Sequence, residues 1–199
     1  MSKGIAFFDF DGTITTKDTL LEFIKYAKGH LPFYAGFALN SPYLVAYKLK
    51  LIPNQLAKEK VLAHFFRNMP LVQFQEICDA FAKNALPAYL RPGALKEISD
   101  LQQKGIQVVI VSASPENWIK NWATSVNASL IATKLQIEGN RLTGRIEGNN
   151  CYGEEKVRRI QASYILADYD DVYAYGDTSG DKPMLSLAKH SSYRPFRDR

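Results

Sequence analysis

Short apolar runs alternate with helical patterns along most of this chain. The first run, GIAFFDF at residues 4–10, ends in Asp-Gly-Thr, which is typical of a buried strand followed by a turn. Apolar runs of the same character lie at residues 106–111, 129–132 and 172–175, and helical patterns separate them. Because strands that alternate with helices form parallel sheets through right-handed crossovers, the pattern predicts an α/β fold with helices on both faces of the sheet.

Two segments depart from this alternation. Residues 134–147 alternate between apolar and polar positions and carry Gly-Asn in the middle, which predicts a β-hairpin. Residues 16–86 contain no convincing strand and show four helical patterns, at residues 18–28, 42–51, 54–68 and 71–85. The sequence therefore predicts an α/β core domain over residues 1–15 and 87–199, interrupted after its first strand by an inserted helical domain over residues 16–86.

Composition leaves the class of partner open. The 199 residues, 46% of them hydrophobic, are enough for one core with a small inserted lobe. The net charge of +5 favours anionic small molecules, anionic lipid surfaces and nucleic acid about equally. Cys78 and Cys151 stand far apart, as is typical of free thiols in a reducing compartment. The N-terminal apolar run is short and is interrupted by Asp9, so we expect no signal peptide and a cytoplasmic protein.

Chemically active side chains follow the predicted strands at the points where those strands end. They are Asp9, Asp11, Gly12 and Thr13 after the first strand, Ser112 and Ala113 after the second, and Asp177 and Asp181 after the fourth. Lys156 begins the helix that leads to the fourth strand. Because ligands bind outside the carboxyl ends of the strands in an open parallel sheet, we expect these side chains to converge on one site.

Carboxylates that arrive from separate strand ends would repel each other without a cation between them. Oxygen ligands of this kind suit magnesium, which binds one or two carboxylates together with water and phosphate oxygens. A site of this composition supports phosphoryl transfer, in which catalysis rests on positioning and on neutralising charge. The sequence therefore predicts Mg²⁺ as the cofactor and a phosphate ester as the substrate.

Four segments resemble, in order, the four motifs of the haloacid dehalogenase-like (HAD) hydrolases. They are Asp9 to Thr13 (DFDGT), Ser112 after an apolar strand, Lys156, and Gly176 to Asp181 (GDTSGD). The helical insert directly after the first motif resembles the C1-type cap of subfamily IB, the phosphoserine phosphatase-like branch. The resemblance covers essentially the whole chain. It implies a Rossmann-like parallel sheet with an inserted helical cap, and a magnesium-dependent phosphatase.

The resemblance also implies a role for each motif residue. Asp9 is expected to attack phosphorus and form an aspartyl-phosphate, Asp11 to act as the general acid and base, and Lys156 to neutralise the phosphate. The expected metal ligands are Asp9, Asp11 through its backbone carbonyl, Asp177 and, directly or through water, Asp181. The expected phosphate- or substrate-binding residues are Gly12, Thr13, Asp18, Ser112, Ala113 and Lys60.

This chain differs from the phosphoserine phosphatases at the positions that are expected to bind the substrate. Those enzymes carry a glutamate at the position that resembles Asp18, and a cap arginine where this chain has Lys58 and Lys60. Residues 31–47 have no charged side chain, and Lys48 and Lys50 follow. This segment is either the apolar core of the cap or a surface that rests on anionic lipid. This cap, together with the sequence CYGEEK that ends at Lys156, is similar to the phosphatidylglycerophosphatase C type of the branch, which implies a small or lipid-linked phosphate ester.

Several alternatives stay open at this stage. A phosphotransferase or mutase could use the same aspartyl-phosphate, and a catalytically inactive relative could bind a phosphorylated ligand. The segment at residues 31–47 is short and contains Asn40-Ser41-Pro42, so we expect a helix break there and no membrane span. The expected protein is a monomer or homodimer in the cytoplasm, without a nucleic-acid partner and with peripheral membrane contact as a further option.

Overall fold

The computed structural model describes residues 3–197 and contains one twisted sheet. Its strands are β1 (Gly4–Phe8), β2 (Gln107–Pro115), β3 (Ser129–Glu138), β4 (Arg141–Glu147), β5 (Asp171–Gly176) and β6 (His190–Tyr193). Their order in the sheet is β4-β3-β2-β1-β5-β6, and every neighbouring pair is parallel except β3 with β4. This arrangement confirms the predicted α/β fold with a parallel sheet, and it places β1 at the centre.

Eight α-helices accompany the sheet in the described part of the chain. They are α1 (Thr19–Lys28), α2 (His30–Lys48), α3 (Asn54–Phe66), α4 (Leu71–Asn84), α5 (Pro92–Gln103), α6 (Glu116–Ser125), α7 (Glu154–Ser163) and α8 (Lys182–Leu185). The first four lie between β1 and β2, where the sequence predicts a helical insert. The division into a core domain and a cap over residues 16–86 stays a prediction, and residues 1, 2, 198 and 199 of that core lie outside the described part.

The alternation of side chains along β1 divides the core between the two faces of the sheet. Ala6 and Phe8 join a cluster with apolar residues of α1 and α3–α6, whereas Ile5 and Phe7 join a second cluster with residues of α7 and α8. All five residues of β1 are buried. The central strand is therefore covered on both sides, as parallel sheets require.

The predicted hairpin forms, but it begins from a longer strand than expected. The predicted strand at residues 129–132 and the first arm of the hairpin are one continuous strand, β3. Gly139 and Asn140 both have positive φ angles, 54° and 61°, which is the requirement of a type I′ turn. The sixth strand, β6, was not predicted, because the sequence His-Ser-Ser-Tyr is polar and pairs along one edge only.

The expected helix break at Pro42 is wrong, because α2 runs without interruption from His30 to Lys48. Proline removes one backbone hydrogen bond, to the carbonyl of Ala38, and both residues are exposed, so water can replace that partner. Two residues before Pro42, the side chain of Asn40 donates a hydrogen bond to the Gly36 carbonyl at 2.8 Å. Within residues 3–197, none of the helices combines the length and apolarity that crossing a bilayer requires.

Two of the contacts that attach the helical insert to the rest of the molecule lie at α1 and at the turn between α3 and α4. Phe23 of α1 stacks on Trp118 of α6, with 4.6 Å between ring centroids. The turn between α3 and α4 forms backbone hydrogen bonds with the hairpin, from Asn68 N to Leu142 O at 2.8 Å and from Leu71 N to Asn140 O at 2.9 Å. These contacts hold α1, α3 and α4 against the sheet, so the base of the insert is fixed over the strand ends.

Close packing of α2 on α3 gives a first prediction. A Cβ atom added at Gly36 would lie 2.2 Å from Cζ of the buried Phe65 ring. We expect Gly36→Val to lower the free energy of unfolding by about 1–3 kcal/mol, because overpacking displaces Phe65. Ala35→Val on the exposed side of the same helix is the control and should change stability by less than about 0.5 kcal/mol. Equal urea midpoints for the two variants would contradict this packing.

Candidate active site

Asp9 and Lys156 form a buried ion pair at the carboxyl end of the central strand. Asp9 follows β1 directly, and its backbone N–H donates to Tyr175 O at 2.9 Å. Lys156, near the N-terminus of α7, donates through Nζ to Asp9 Oδ1 at 2.6 Å and to Asp181 Oδ1 at 2.7 Å. The Lys156 side chain is 1% exposed, so these two carboxylates replace its hydration.

The electrostatics of the pair depend on burial. Burial raises the pKa of Asp9 to about 7, although the ammonium of Lys156 acts in the opposite direction. Burial by itself would lower the pKa of Lys156, but Asp9 and Asp181 hold it above its ordinary value. Lys156 is therefore a permanent cation in this site. The charged form of Asp9 relies on the positive groups around it.

Gly12 and Thr13 bring Asp177 close to Asp9. Thr13 Oγ1 lies 3.1 Å from Asp9 Oδ2 and 3.3 Å from Asp177 Oδ1, within hydrogen-bond distance of both. Gly12 has a φ of 85°, and a Cβ atom there would lie 2.4 Å from Asp177 Oδ2. Only glycine allows the turn after β1 to pass so close to that carboxylate.

Three carboxylates are grouped closely enough to share one metal ion. Asp9, Asp177 and Asp181 each offer a ligand oxygen, and these oxygens lie within 4.8 Å of one another. Asp181 is also held by the protein, since its Oδ2 accepts hydrogen bonds from Thr178 N at 2.9 Å and Thr178 Oγ1 at 2.8 Å. The side chain of Asp11 is not a member of this group.

The charges of the site fit a divalent cation. Asp9, Asp177 and Asp181 supply three carboxylates, whereas the ion pairs to them come from Lys156 and Arg197. One negative charge therefore lacks a counter-ion among these residues. An oxygen-only donor set with this imbalance suits Mg²⁺.

Asp11 points toward the start of α1. Its Oδ1 accepts hydrogen bonds from Thr19 N at 2.7 Å and Thr19 Oγ1 at 2.6 Å, and Ser112 Oγ donates to its Oδ2 at 3.3 Å. Thr19 in turn accepts a hydrogen bond from the buried Trp118 indole at 3.1 Å. Asp11 therefore connects the strand end to the helical insert, and the sequence alone did not indicate its link to Thr19.

A cavity of about 600 Å³ lies between the strand ends and the helical insert. Predicted site residues that line it are Asp9, Asp11, Gly12, Asp18, Ala113, Lys156, Asp177 and Asp181. Thr13 and Ser112 are fully buried behind its wall and contact the carboxylates from there. The helices α1, α2 and α3 line the cavity with the apolar side chains of Leu20, Leu21, Phe37, Leu44, Ala57 and Val61, and also with Tyr47, Asn54 and Lys58.

The structure places Lys60 away from this cavity. Lys60 is exposed, and its Nζ lies 5.1 Å from the centre of the Tyr43 ring. Lys58 lines the cavity instead and donates to Ala113 O at 2.7 Å. Residues two apart on a helix face different directions, so only one of these lysines can point at the strand ends. The burial of Ala57 and Val61 shows which side of α3 faces inward, and this direction is visible only in the structure.

Asp18 lies at the edge of the cavity and caps a helix at the same time. Its Oδ1 accepts hydrogen bonds from Leu20 N at 3.0 Å and Leu21 N at 3.3 Å, at the N-terminus of α1. Burial, and next the charge of Asp11, raise the pKa of Asp18 to about 6, while Lys58 opposes the rise. A capping role and a substrate-binding role are both compatible with this position.

Two arginines near the site were not predicted from the sequence. Arg197 Nη2 pairs with Asp177 Oδ2 at 2.9 Å, and both Arg197 and Arg91 line the cavity. The turn that carries Arg197 is fixed by Phe196, whose ring stacks on Tyr175 with 5.6 Å between centroids. No local sequence pattern predicts these contacts, because they join residues far apart in the chain.

Comparison with known proteins places this site in a family. The chain is 36% identical over 193 residues to Protein CicA of Caulobacter vibrioides, covering 96% of this chain and 85% of CicA. It is 30% identical over 204 residues to the probable phosphatase Rv3661 of Mycobacterium tuberculosis, covering 96% of this chain and 68% of that protein.

A solved structure with the same fold supports the comparison. It is a phosphoserine phosphatase studied as a phospho-aspartyl intermediate analogue, with a TM-score of 0.64 and 20% identity over 96% of this chain and 86% of that one. The sequence model described as haloacid dehalogenase-like hydrolase matches residues 6–186. Because that match extends from the central strand to the last helix, the chain belongs to the haloacid dehalogenase-like hydrolase family.

Proposed function

We propose that this protein is a magnesium-dependent phosphatase that hydrolyses phosphate monoesters through an aspartyl-phosphate on Asp9. The observation that carries the proposal is the position of Asp9. It is buried at the end of the central strand, accepts a hydrogen bond from Lys156, and belongs to the cluster of three carboxylates. The related probable phosphatase and the phospho-aspartyl form of a phosphoserine phosphatase support the same chemistry. We also place the chain in subfamily IB, because its helical insert directly follows the first motif.

In the first step, an Asp9 carboxylate oxygen attacks phosphorus and the bond from phosphorus to the ester oxygen breaks. Lys156 keeps its hydrogen bond to Asp9, and its positive charge stabilises the phosphoryl oxygens. The residues that would hold the cation are Asp9, Asp177 and the Asp11 carbonyl, with Asp181 in support. Bound there, Mg²⁺ would neutralise the phosphate charge that otherwise repels the nucleophile.

Asp11 is the general acid and then the general base in this proposal. It gives its proton to the leaving alkoxide, and it later takes a proton from the water that attacks the aspartyl-phosphate. That attack releases inorganic phosphate and restores the Asp9 carboxylate. Ser112 and Thr19 orient Asp11 through their hydrogen bonds to its two oxygens. Gly12, Thr13 and Ala113 shape the phosphate pocket around it.

The walls of the cavity favour a substrate with an apolar group on its phosphate. Phe37, Leu44 and Val61 line the same cavity as the carboxylates, and Lys58 of the helical insert donates to Ala113 O on β2. An apolar alcohol would bury its surface against these apolar side chains. We therefore propose a small apolar or lipid-linked phosphate ester, handled in the cytoplasm by a monomer or homodimer.

A turnover screen tests the function. We expect release of inorganic phosphate in the presence of Mg²⁺ from phosphate esters of apolar alcohols, with slower release from phosphoserine and sugar phosphates. Removal of the metal with EDTA should abolish turnover, and added Mg²⁺ should restore it and raise the Tm. Exposed Asp168→Asn, remote from the cavity, should behave as the wild type. Full activity in EDTA would refute the metal requirement.

The same screen separates hydrolysis from transfer, which is the second candidate function. A phosphotransferase would move the phosphoryl group from Asp9 to an added sugar or alcohol and release little inorganic phosphate. The aspartyl-phosphate is common to both reactions, so only the acceptor distinguishes them. Phosphate release that is unaffected by added alcohols supports the hydrolase.

A further inference from the structure

Helix α2 presents an apolar face to the outside of the molecule. The exposed fractions are 84% for Leu31, 63% for Tyr34, 70% for Leu39 and 53% for Val45. The sequence has no charged residue between His30 and Lys48. Exposed surface helices normally carry charged side chains on their outer face, so this face differs from an ordinary solvent-facing one. We call it the α2 face.

Lysines lie at the two ends of the α2 face, and acidic residues are absent from the segment that contains it. Residues 23–58 hold five lysines and no Asp, Glu or Arg. Two of these lysines are engaged elsewhere, because Lys25 pairs with Glu22 at 2.8 Å and Lys58 lines the cavity. Lys28, the last residue of α1, lies just before α2, and Lys48 and Lys50 lie at the other end of that helix.

The same helix also borders the proposed active site. Phe37, Leu44 and Tyr47 lie on its inner side and line the cavity that contains the carboxylates. The outer α2 face continues past the helix end, where Leu49 is 64% exposed and Leu51 is 73% exposed. A surface that covers the α2 face would therefore lie next to the cavity.

We propose that the α2 face docks on an anionic lipid bilayer, with α2 lying in the plane of the membrane interface. Its apolar side chains would enter the boundary between headgroups and acyl chains, while the flanking lysines contact anionic headgroups. Docking would also bring the cavity to a lipid-linked substrate, and this consequence rests on the proposed function. The docking itself is independent of that function.

Charge favours a bilayer over a second copy of this chain as the partner. In a twofold pair of α2 faces with antiparallel helices, Lys28 of each copy would approach Lys48 and Lys50 of the other. Like charges would then meet at both ends of the contact, which disfavours association. An anionic bilayer complements both ends at once.

Vesicle sedimentation tests the docking without any enzymatic readout. We expect the wild type to bind vesicles of mixed phosphatidylcholine and phosphatidylglycerol at least about tenfold more strongly than vesicles of phosphatidylcholine alone, with weaker binding at high salt. Leu39→Glu should lower binding to the mixed vesicles by about tenfold or more. Ile165→Glu is the matched control, since Ile165 is 69% exposed on a different surface, and it should bind as the wild type does.

A charge series completes the test. Lys48→Glu with Lys50→Glu should weaken binding to the mixed vesicles, whereas Lys104→Glu with Lys120→Glu, both exposed elsewhere, should weaken it less. Wild-type binding that is absent at low salt, or unchanged in Leu39→Glu, would overturn the proposal. A dimer in solution that Leu39→Glu dissociates would assign the face to a second copy and overturn it too.

The outcomes also separate docking from catalysis. Leu39 is outside the cavity, so Leu39→Glu should hydrolyse a soluble phosphate ester at the wild-type rate. Vesicle binding without any phosphatase activity would refute the proposed function and leave the docking in place. Turnover of soluble esters without vesicle binding would refute the docking alone.

Discussion

Replacing Asp9 by Asn is expected to lower kcat by about a thousandfold or more, because the amide cannot form the aspartyl-phosphate. The fold should survive this change. Asparagine has the same shape, Lys156 keeps its hydrogen bond to Asp181 at 2.7 Å, and burial already disfavours the charge of Asp9. The variant should therefore unfold at a denaturant concentration equal to or above that of the wild type.

Acid quench during turnover, followed by mass spectrometry, provides the direct measurement. The wild type should carry a phosphoryl group on the peptide that contains Asp9, and Asp9→Asn should carry none. Asp168→Asn, at an exposed position, should retain both the phosphopeptide and the activity. Full turnover by Asp9→Asn, or a phosphoryl group on another residue, would exclude Asp9 as the nucleophile.

Replacing Lys156 by Met is expected to remove activity and to lower the free energy of unfolding by about 3–5 kcal/mol in the absence of metal. Lys156 is the cation that lies between Asp9 and Asp181, and its side chain is 1% exposed. Methionine would leave two buried carboxylates facing each other without a counter-ion. Turnover should also fall by at least about a hundredfold, because positive charge beside the transferred phosphate is lost.

Two further measurements distinguish lost charge from lost packing. Asp181→Asn in the Lys156→Met background should recover part of the lost stability, since one of the two repelling charges is then gone. Saturating Mg²⁺ should also recover part of it. Lys104→Met, at an exposed position, should leave stability within about 0.5 kcal/mol of the wild type. Unchanged stability in Lys156→Met would contradict the buried ion pair.

Much of the fold follows from local patterns in the sequence. The residues before Asp9 are apolar on both faces of the strand, and a strand that is buried on both faces is typical of the middle of a parallel sheet. The Gly139-Asn140 pair specifies a type I′ turn because both residues tolerate positive φ. β6 escaped prediction because its pairing with β5 depends on the edge of the sheet and not on its own polar side chains.

Some residues of the candidate site could likewise be predicted from the sequence, and others could not. Asp9, Asp177 and Asp181 could be expected together, because parallel strands end at one edge of the sheet wherever their side chains point. The choice between Lys58 and Lys60 could not be made in the same way, because it depends on the rotation of α3 relative to the sheet. The contact between Arg197 and Asp177 depends on a turn held by stacked rings.

By itself, the sequence determined the class of fold, the order of the motifs and the carboxylates available for chemistry, because strand and helix periodicity and motif spacing are local properties. Only the tertiary structure decided that α2 continues through Pro42, that Lys58 and not Lys60 reaches the cavity, and that the uncharged segment is exposed. The reason is physical: exposure and side-chain direction arise from packing between distant segments, and one helix can be apolar on an inner and an outer face alike.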